Sequence, residues 1–307
     1  MIAKFPKFSK LTLSDRKEIE NITKLFPPYS DHNFSSLWAW NVYDSTKLSL
    51  LHDNLIIKLT DYENSNDEIL TLIGMNKIEE TIKICLKSSE LKTVGNKIRL
   101  IPEETIKQIK DLDFVKIQED RDNHDYIVPA WPLVELRANE FRGKRSSVNR
   151  FCRIYSPHIL VERKNMTHLS QADIDSMISV FEQWMLSRNL SENESFIEKR
   201  ALLRIIKSRN NLSNLYIIKI IVKENVAAFA IVEKCDKDFA LLHFEKANIL
   251  YKGIFHYLNR QVAGLALDLG AKKINFEQDL GIPGLRCSKL TYHPSIFLKK
   301  YTISKKT

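Results

Sequence analysis

Three strongly apolar segments follow one another between residues 215 and 248, and they limit the possible folds of this chain more than any other feature does. The segments are LYIIKIIVKE, NVAAFAIVEKC and FALLHFEKAN, with KENV and CDKD as the connections. Each segment is rich in β-branched or aromatic residues, and each connection is short enough for a hairpin turn. The sequence therefore predicts a meander of three antiparallel strands.

Helical patterns lie on both sides of this predicted meander. QADIDSMISVFEQWMLSRN and FIEKRALLRIIKSR precede it, and KGIFHYLNRQVAGLALDLG follows it. The strand KINFEQDL, the short helix PGLRCSKLTY and the closing strand SIFLKKYTI complete the pattern. The first half of the chain shows a similar order of helices, strands, a helix and a further strand. We therefore predict an α+β fold with mixed, mostly antiparallel sheets flanked by helices.

The length and the proline spacing predict two domains. A chain of 307 residues is long for one domain and comfortable for two. A break between Pro129 and Pro132 marks the boundary, which gives an N-terminal domain over 1–130 and a C-terminal domain over 131–307. In the first domain, the helix SDHNFSSLWAWNVY is expected to begin at Ser30 or Asp31 as its N-cap.

The composition excludes several classes of protein. No apolar run approaches the ~18 residues of a membrane-spanning helix, so we expect no transmembrane segment. The four cysteines are scattered without a CxxC pair, which is typical of reduced thiols in a cytoplasmic protein. The eight histidines form no HxxxH or HExxH pair. We expect no tightly bound metal or cofactor.

A basic segment, RGKRSSVNRFCRIY, is the main candidate for binding a large anion. The chain carries a formal charge of +9, from 47 basic and 38 acidic side chains, which favours anionic partners. In this segment Lys144, Arg145 and Arg150 are interleaved with aromatic residues. Such a helix can follow the phosphate backbone of a nucleic acid. A solvated basic helix face is the alternative.

Two predicted strands carry most of the candidate catalytic groups. Strand alternation places His243 and Glu245 on one face of the first strand, and Asn275, Glu277 and Asp279 on one face of the second. If the strands are neighbours, a histidine and three carboxylates line one side of a cleft. Such a cluster can supply a general base or bind an amine. A polar sheet face in contact with water explains the same alternation.

Two further groups are candidates for binding an anionic donor. Lys252 and Gly253 begin a predicted helix whose first N–H groups could bind a phosphate, although a single glycine is also ordinary at a helix start. Arg286 and Lys289, three residues apart after Gly281, would share a helix face and could bind a carboxylate, a phosphate or a nucleic-acid backbone. An exposed basic face, or salt bridges to the acids upstream, are the alternatives.

At these residues the chain resembles a known family. HFEKAN…YKGIFHYLNRQ followed by INFEQDLGIPGLRCSKLTYHP is similar to the bacterial DUF2156 proteins, which resemble the C-terminal domain of phosphatidylglycerol lysyltransferases. The family shows H-x-E-K at a strand end, Y-x-G-x at a helix start, and the run N-x-E-x-D-x-G-x-x-G-L-R-x-x-K-x-x-Y-x-P. SDHNFSSLWAW and part of GKRSSVNRF also match, so the resemblance covers most of the chain.

The resemblance implies a tandem GNAT-like fold, that is, two acyl-CoA N-acyltransferase domains in which the fourth and fifth strands part to form a ligand cleft. It also implies functional positions, without individual roles, at His243, Glu245, Lys246, Gly253, Asn275, Glu277, Asp279, Gly281, Arg286, Lys289 and Tyr292. One departure is Phe276, where the family often has an arginine. A second departure concerns the membrane domain that the lysyltransferases place before this fold, because this sequence shows no such domain. We therefore expect either a soluble acceptor or attachment of the protein to a membrane surface.

Three functions follow from these observations. The first is a soluble acyltransferase or aminoacyltransferase in which Glu245 or Glu277 is the base, with His243 beside them. Its donor would be aminoacyl-tRNA or acyl-CoA, and its acceptor an amine or hydroxyl of a small molecule or a lipid head group. The second is a GNAT-like module without catalysis that binds an anionic small molecule or RNA. The third is a CoA-dependent N-acetyltransferase.

Overall fold

The computed structural model describes residues 1–60, 67–110, 113–188, 192–235 and 238–306, apart from the side chains of 192–195. The α-helices are α1 (Arg16–Thr23), α2 (Phe34–Trp40), α3 (Ile78–Lys87), α4 (Ser89–Thr93), α5 (Glu103–Ile106), α6 (Ala130–Glu135), α7 (Arg142–Tyr155), α8 (Gln171–Ser187), α9 (Glu192–Lys207), α10 (Ile254–Asp268) and α11 (Pro283–Leu290). The strands are β1 (Ala3–Lys4), β2 (Ser9–Lys10), β3 (Lys47–Leu51), β4 (Asn54–Thr60), β5 (Glu68–Ile73), β6 (Lys97–Pro102), β7 (Val115–Glu119), β8 (Asp125–Pro129), β9 (Ile159–Asn165), β10 (Leu215–Val222), β11 (Asn225–Lys234), β12 (Phe239–Ala247), β13 (Lys273–Asn275), β14 (Ile296–Leu298) and β15 (Lys300–Lys305).

These elements form two mostly antiparallel sheets. The first has the order β1–β3–β4–β5–β6–β15–β7, with β2 beside β3. The second has the order β14–β8–β13–β12–β11–β10–β9. Helix α3 packs its apolar face into the core of the first sheet, and α8 and α10 pack on β11 and β12 of the second. The predicted fold class, an α+β chain with mixed, mostly antiparallel sheets flanked by helices, is confirmed.

The predicted meander is present as β10, β11 and β12. The hairpin between β10 and β11 has a two-residue loop, Lys223 and Glu224, and both residues have positive φ, as a type I′ turn requires. In the second connection, CDKD, residues 236 and 237 lie outside the described part of the chain. The prediction of a three-stranded meander, which was made from short loops between segments of strong β-propensity, is therefore correct.

The first half contains more strands than its periodicity suggests, because the C-terminal strand inserts into it. Strand β15 lies between β6 and β7 and is antiparallel to both. Its residue Ile303 is fully buried in the same cluster as Ile82 of α3 and Ile98 of β6. Since sequence periodicity carries no information on long-range pairing, this neighbour could not be inferred.

The chain divides into two compact units. Unit 1 consists of Met1–Tyr126, Gln278–Ser288 and Phe297–Thr307. Unit 2 consists of Ile127–Glu277 and Lys289–Ile296. The domain limits predicted at residues 130 and 131, and the tandem duplication, stay predictions. Within the described residues, no helix has both the length and the apolar character needed to cross a bilayer.

The N-cap predicted for α2 is wrong. Asn33 begins this helix, and its side-chain oxygen accepts a hydrogen bond from the Ser36 N–H at 2.9 Å. Ser30 and Asp31 lie in the 3₁₀ turn before it and are buried. Their side chains contact a lysine far away in the sequence, and this tertiary contact overrides the local capping preference.

That lysine, Lys300, lies at the centre of a buried ion cluster in unit 1. Its Nζ forms ion pairs with Asp31 and, at 2.7 Å, with Asp125, and all three side chains are fully buried. Ser30 donates from Oγ to Asp125 at 2.7 Å and lies 2.6 Å from Oε1 of Gln278. Desolvation disfavours the charge on Lys300, but the attraction of Asp125 and Asp31 outweighs it and raises the pKa of the lysine. The cluster therefore ties β15 to segments from three other parts of the sequence.

We expect Lys300→Met to destabilise the fold by about 3–5 kcal/mol, because it leaves two buried carboxylates without their counter-ion. The measurement is the free energy of unfolding from urea denaturation. Lys299→Met is the matched control, since that neighbouring side chain is 41% exposed and pairs only loosely with Glu119 at 3.4 Å. Equal stability of the two variants would contradict the structural role given to the cluster.

Candidate functional site

In unit 2, β12 and β13 pair over only three residues each and then separate. The parallel register runs from Phe239–Lys273 to Leu241–Asn275. Beyond this point β12 continues to Ala247 beside β11, whereas the backbone after β13 takes a left-handed conformation at Glu277, with φ of 57°. The separated ends leave Glu245 on a part of β12 that is not paired with β13.

Glu245 is held by a buried asparagine of α10. Its Oε1 accepts a hydrogen bond from Nδ2 of Asn259 at 2.8 Å. The same Nδ2 lies 3.1 Å from the Tyr292 hydroxyl and 3.0 Å from the Phe255 carbonyl oxygen. One oxygen of the carboxylate is thus fixed, and Glu245 as a whole remains partly exposed.

Tyr292 connects Glu245 to two basic side chains. The Tyr292 hydroxyl lies 3.3 Å from Nδ1 of His256, and Nζ of Lys144 lies 4.1 Å from the centre of the ring. Lys144 also donates to the Thr291 hydroxyl at 2.6 Å. We call this group the Glu245 cluster, and its members are Lys144, Glu245, His256, Asn259, Thr291 and Tyr292.

Burial changes the acidity of the groups in the Glu245 cluster. Desolvation raises the pKa of Glu245 to about 7, although the Asn259 hydrogen bond and the charges of Lys246 and Lys289 oppose it. Desolvation lowers the pKa of Lys144 to about 8. The pKa of His256 is lowered by desolvation and then by Lys144. Near neutral pH, Glu245 is therefore able both to accept and to release a proton.

Phe276, the departure from the resemblance, packs against this cluster. Its ring meets that of Tyr292 edge to face, with 5.3 Å between the centroids, and the phenylalanine is buried. An aromatic residue here adds no charge and helps to exclude water from Tyr292. The position thus supplies an apolar contact to Tyr292, where an arginine would have supplied a charged group.

The predicted strand faces are wrong in two places. The register of β12 with β11 passes directly from Phe244–Ile231 to Leu242–Val232, so His243 lies in a β-bulge and the two-residue alternation is interrupted. Strand β13 ends at Asn275, and the positive φ of Glu277 ends the alternation there as well. Asn275, Glu277 and Asp279 therefore do not share a strand face.

His243 and Glu277 nevertheless come together in unit 2. Nε2 of His243 lies 2.8 Å from Oε2 of Glu233 on β11, and Nδ1 lies 3.9 Å from Oε1 of Glu277. The Glu277 N–H donates to Oδ1 of the buried Asn275 at 2.6 Å. Asn275 therefore holds the backbone at Glu277 through this hydrogen bond. Its predicted role in binding substrate stays a prediction.

Asp279 and Arg286 form a different group, in unit 1. The Arg286 guanidinium donates to both oxygens of the fully buried Asp279, at 2.9 and 2.7 Å, and to Asp122 at 2.5 Å. Tyr126 also donates its hydroxyl proton to Asp279. Desolvation acts to raise the pKa of Asp279, but the hydrogen bonds from Arg286 and Tyr126 outweigh it and lower the pKa. This is the salt-bridge network that was the alternative interpretation of Arg286, and donor binding by Arg286 stays a prediction.

The basic helix α7 is divided between two environments. Lys144 is buried in the Glu245 cluster, whereas Arg150 is exposed. Arg145 donates to the carbonyl oxygens that follow α6, among them those of Arg137 at 3.0 Å and Ala138 at 3.3 Å. Arg145 thus supplies a donor to carbonyl oxygens in the segment between α6 and α7. Donor binding by these three residues stays a prediction.

Gly253 is required by packing against α7. It has φ of 92°, and a Cβ at this position would lie 2.5 Å from the carbonyl oxygen of Ser147. Its neighbour Lys252 is exposed, and Lys289 on α11 is partly exposed. The glycine is thus explained by the backbone contact, and its predicted role in seating a phosphate remains a prediction, like those of Lys252 and Lys289.

Several residues of these groups were not predicted from the sequence. His256 and Asn259 lie three apart on helix α10, a spacing that puts both on one face and could have indicated a shared polar contact. Glu233 lies in the predicted strand NVAAFAIVEKC and was not singled out as a candidate. In the described residues, no three His, Cys, Asp or Glu side chains are arranged to hold a metal ion.

The family comparison matches nearly the whole chain. The family model described as phosphatidylglycerol lysyltransferase, C-terminal, matches residues 23–304. This range contains both the Glu245 cluster and the group around His243. Comparison with curated protein sequences gave no match.

Solved structures resemble the chain over its full length. A conserved protein of unknown function from Bacteroides thetaiotaomicron has a TM-score of 0.83 at 24% identity, with 100% of both chains covered. The C-terminal domain (DUF2156) of a putative lysylphosphatidylglycerol synthetase from Agrobacterium fabrum has a TM-score of 0.65 at 12% identity, covering 96% of this chain and 92% of that one. L-PGS from Bacillus licheniformis has a TM-score of 0.65 at 14% identity, covering 100% of this chain and 94% of that one. The fold is therefore shared with these proteins.

We expect Gly253→Ala to lower the free energy of unfolding by about 2 kcal/mol or more, since it combines a left-handed backbone with a backbone clash at Ser147. Gly143→Ala is the matched control, because a Cβ at that position of α7 meets nothing within 4 Å. The control is expected to be neutral or slightly stabilised. Urea unfolding of both variants tests this, and a stable Gly253→Ala protein would remove the packing explanation.

The raised pKa of Glu245 predicts a pH-dependent stability. The folded chain keeps a proton on Glu245 that the unfolded chain releases, so stability falls as the pH rises from 4.5 towards about 7. Glu245→Gln removes this effect, and the variant should be about 1–2 kcal/mol more stable than the wild type at pH 8, with the gain reduced by the partial exposure of the residue. The difference should vanish near pH 4. Urea unfolding at both pH values measures it, with the exposed Glu224→Gln as control, and a gain that is independent of pH would contradict the assignment.

Proposed function

The chain belongs to the family of phosphatidylglycerol lysyltransferase C-terminal domains, and from this premise we propose that it transfers an activated acyl or aminoacyl group to an amine or hydroxyl acceptor in the cleft of unit 2. The observation that carries the proposal is the acidity and the position of the Glu245 carboxyl group. Its carboxyl group has a pKa raised to about 7 and lies where β12 separates from β13. A general base works best when its pKa is close to the operating pH.

The reaction follows from the groups around Glu245. The nitrogen or oxygen of the acceptor attacks the carbonyl carbon of the donor ester or thioester, and Glu245 takes the proton that the acceptor loses. The carbonyl carbon forms its new bond, the bond to the donor oxygen or sulfur breaks, and the leaving group receives a proton. Lys144, held against Tyr292, supplies positive charge next to the negative charge that develops on the carbonyl oxygen.

Helix α7 favours aminoacyl-tRNA as the donor. Lys144 reaches the Glu245 cluster from this helix, and the same helix carries the exposed residues Arg142, Arg150 and Arg153. Exposed arginines on one helix can bind successive phosphates of a nucleic-acid backbone. The loop before α10 has Gly253 as its single glycine, and this glycine packs against Ser147, so acyl-CoA is the less favoured donor.

We place the reaction in the cytoplasm, where charged tRNA is available. The acceptor is a small molecule or a lipid head group that presents an amine or a hydroxyl. The proposal assigns no tightly bound cofactor, because the acyl group arrives already activated. Arg286, which is paired with Asp279 and Asp122, has no step in this reaction.

The test measures binding first and transfer second. Purified protein is titrated with charged tRNA, uncharged tRNA and acetyl-CoA at several salt concentrations, and preference for charged tRNA with a steep salt dependence is the expected result. Loss of label from aminoacyl-tRNA is then followed in the presence of phospholipid vesicles and of small amines. Tight binding of acetyl-CoA alone would favour N-acetyl transfer, and no binding of any donor would favour a module without catalysis.

Glu245→Gln separates catalysis from binding. The variant keeps an oxygen that accepts from Asn259 but cannot take a proton at neutral pH, so the transfer rate should fall by about 10²-fold or more while tRNA affinity is unchanged. The wild-type rate should rise with pH through about 7. Glu224→Gln, in the exposed hairpin loop, is the control. A fully active Glu245→Gln enzyme would show that another group is the base.

A further inference from the structure

Glu233 is a buried carboxylate that the proposed reaction does not yet use. It lies one residue before the end of β11, follows the apolar stretch AAFAIV, and is 4% exposed. A carboxylate in such a place is costly unless a donor compensates for the lost water. The compensating group is the imidazole of His243, whose Nε2 lies 2.8 Å away.

This contact fixes which nitrogen of His243 carries a hydrogen. An ionised carboxylate only accepts hydrogen bonds, so Nε2 must be the protonated nitrogen. The other nitrogen, Nδ1, then faces Oε1 of Glu277 at 3.9 Å. The β-bulge at His243 sets the direction of the side chain, as bulges commonly do beside functional sites.

The third group, Glu277, is the most accessible of the three. Its side chain is 19% exposed, against 1% for His243 and 6% for Glu233. The left-handed backbone of Glu277 and its hydrogen bond to Asn275 hold it in place. The order from the interior outwards is thus a carboxylate, an imidazole and a second carboxylate, with the last at the separated end of β13.

We infer that Glu233 is a positioning residue that orients His243 to exchange a proton with Glu277. This inference rests on the proposed function, in which Glu245 takes the proton from the acceptor. Glu277 gives a proton to the leaving group of the donor, and Nδ1 of a protonated His243 replaces that proton on Glu277. Glu233 keeps the hydrogen on Nε2 throughout. After each turnover a proton from solvent enters at Glu277, the more exposed of the two side chains, and is passed on to Nδ1. A buried group that orients an imidazole in this way is a recurring catalytic arrangement.

The first test observes the imidazole and needs no activity. In protein labelled with ¹⁵N-histidine, the ring signals of His243 are identified by their loss in His243→Asn. The spectra are recorded at a pH at which the ring is neutral, so that only one of its nitrogens carries a hydrogen. We expect that hydrogen on Nε2 in the wild type and in Glu277→Gln, and a mixture of tautomers in Glu233→Gln. Glu162→Gln, which changes a carboxylate on β9 paired with Lys219, is the control and should leave the signals unchanged. A wild-type Nε2 without a proton, or an unchanged tautomer in Glu233→Gln, would overturn the inference.

The second test uses the transfer assay. Glu233→Gln and Glu277→Gln should each reduce kcat by about 10²-fold with KM nearly unchanged, and the double variant should lose little more than either single variant. If the loss of kcat in the double variant equals the product of the two single losses, the two carboxylates act independently. That result would overturn the proposed proton exchange between His243 and Glu277. Should the chain transfer no acyl group at all, the proposed function fails, whereas the tautomer measurement still decides whether Glu233 orients His243.

Discussion

The ion cluster around Lys300 is the constraint on which the rest of unit 1 depends. One ammonium group and the carboxylates of Asp31 and Asp125 are all removed from water, so each is stable only while the others are in place. Gln278 takes part through Ser30 and Asp31. The cluster thus includes the residue that directly follows Glu277 in the chain.

The run of charged and polar residues from 274 to 294 contributes to several different contacts. Asp279 and Arg286 neutralise each other within unit 1, and their strong pairing gives them a structural explanation. Glu277 faces His243, whereas Tyr292 joins the Glu245 cluster. Charged residues that are adjacent in sequence thus have different electrostatic surroundings. Their density in the sequence indicated a site, but it did not indicate which of them are available for chemistry.

Local patterns predicted local structure well. The meander β10–β12, the long helix α10 and the short helix α11 follow from strand or helix periodicity and from the turn residues between them. The details that decide the site were not predictable in this way. The bulge at His243 and the positive φ at Glu277 interrupt the alternation, and both depend on neighbouring strands. Lys144 appeared to be one of several exposed cations, and only the packing of α7 shows that it turns inward to Tyr292.

The position of β15 has a consequence for how the protein is made. This strand lies between β6 and β7, so β7 cannot join the first sheet, and β6 remains its edge, until residues 300–305 arrive. On a ribosome, residues 1–126 would emerge long before their missing strand, and the edges of β6 and β7 would stay open to other chains during that interval. Unit 2 has its own meander and neighbouring helices within one continuous stretch of sequence. We therefore expect unit 2 to be the first part to fold during synthesis, with unit 1 completed only after β15 has emerged.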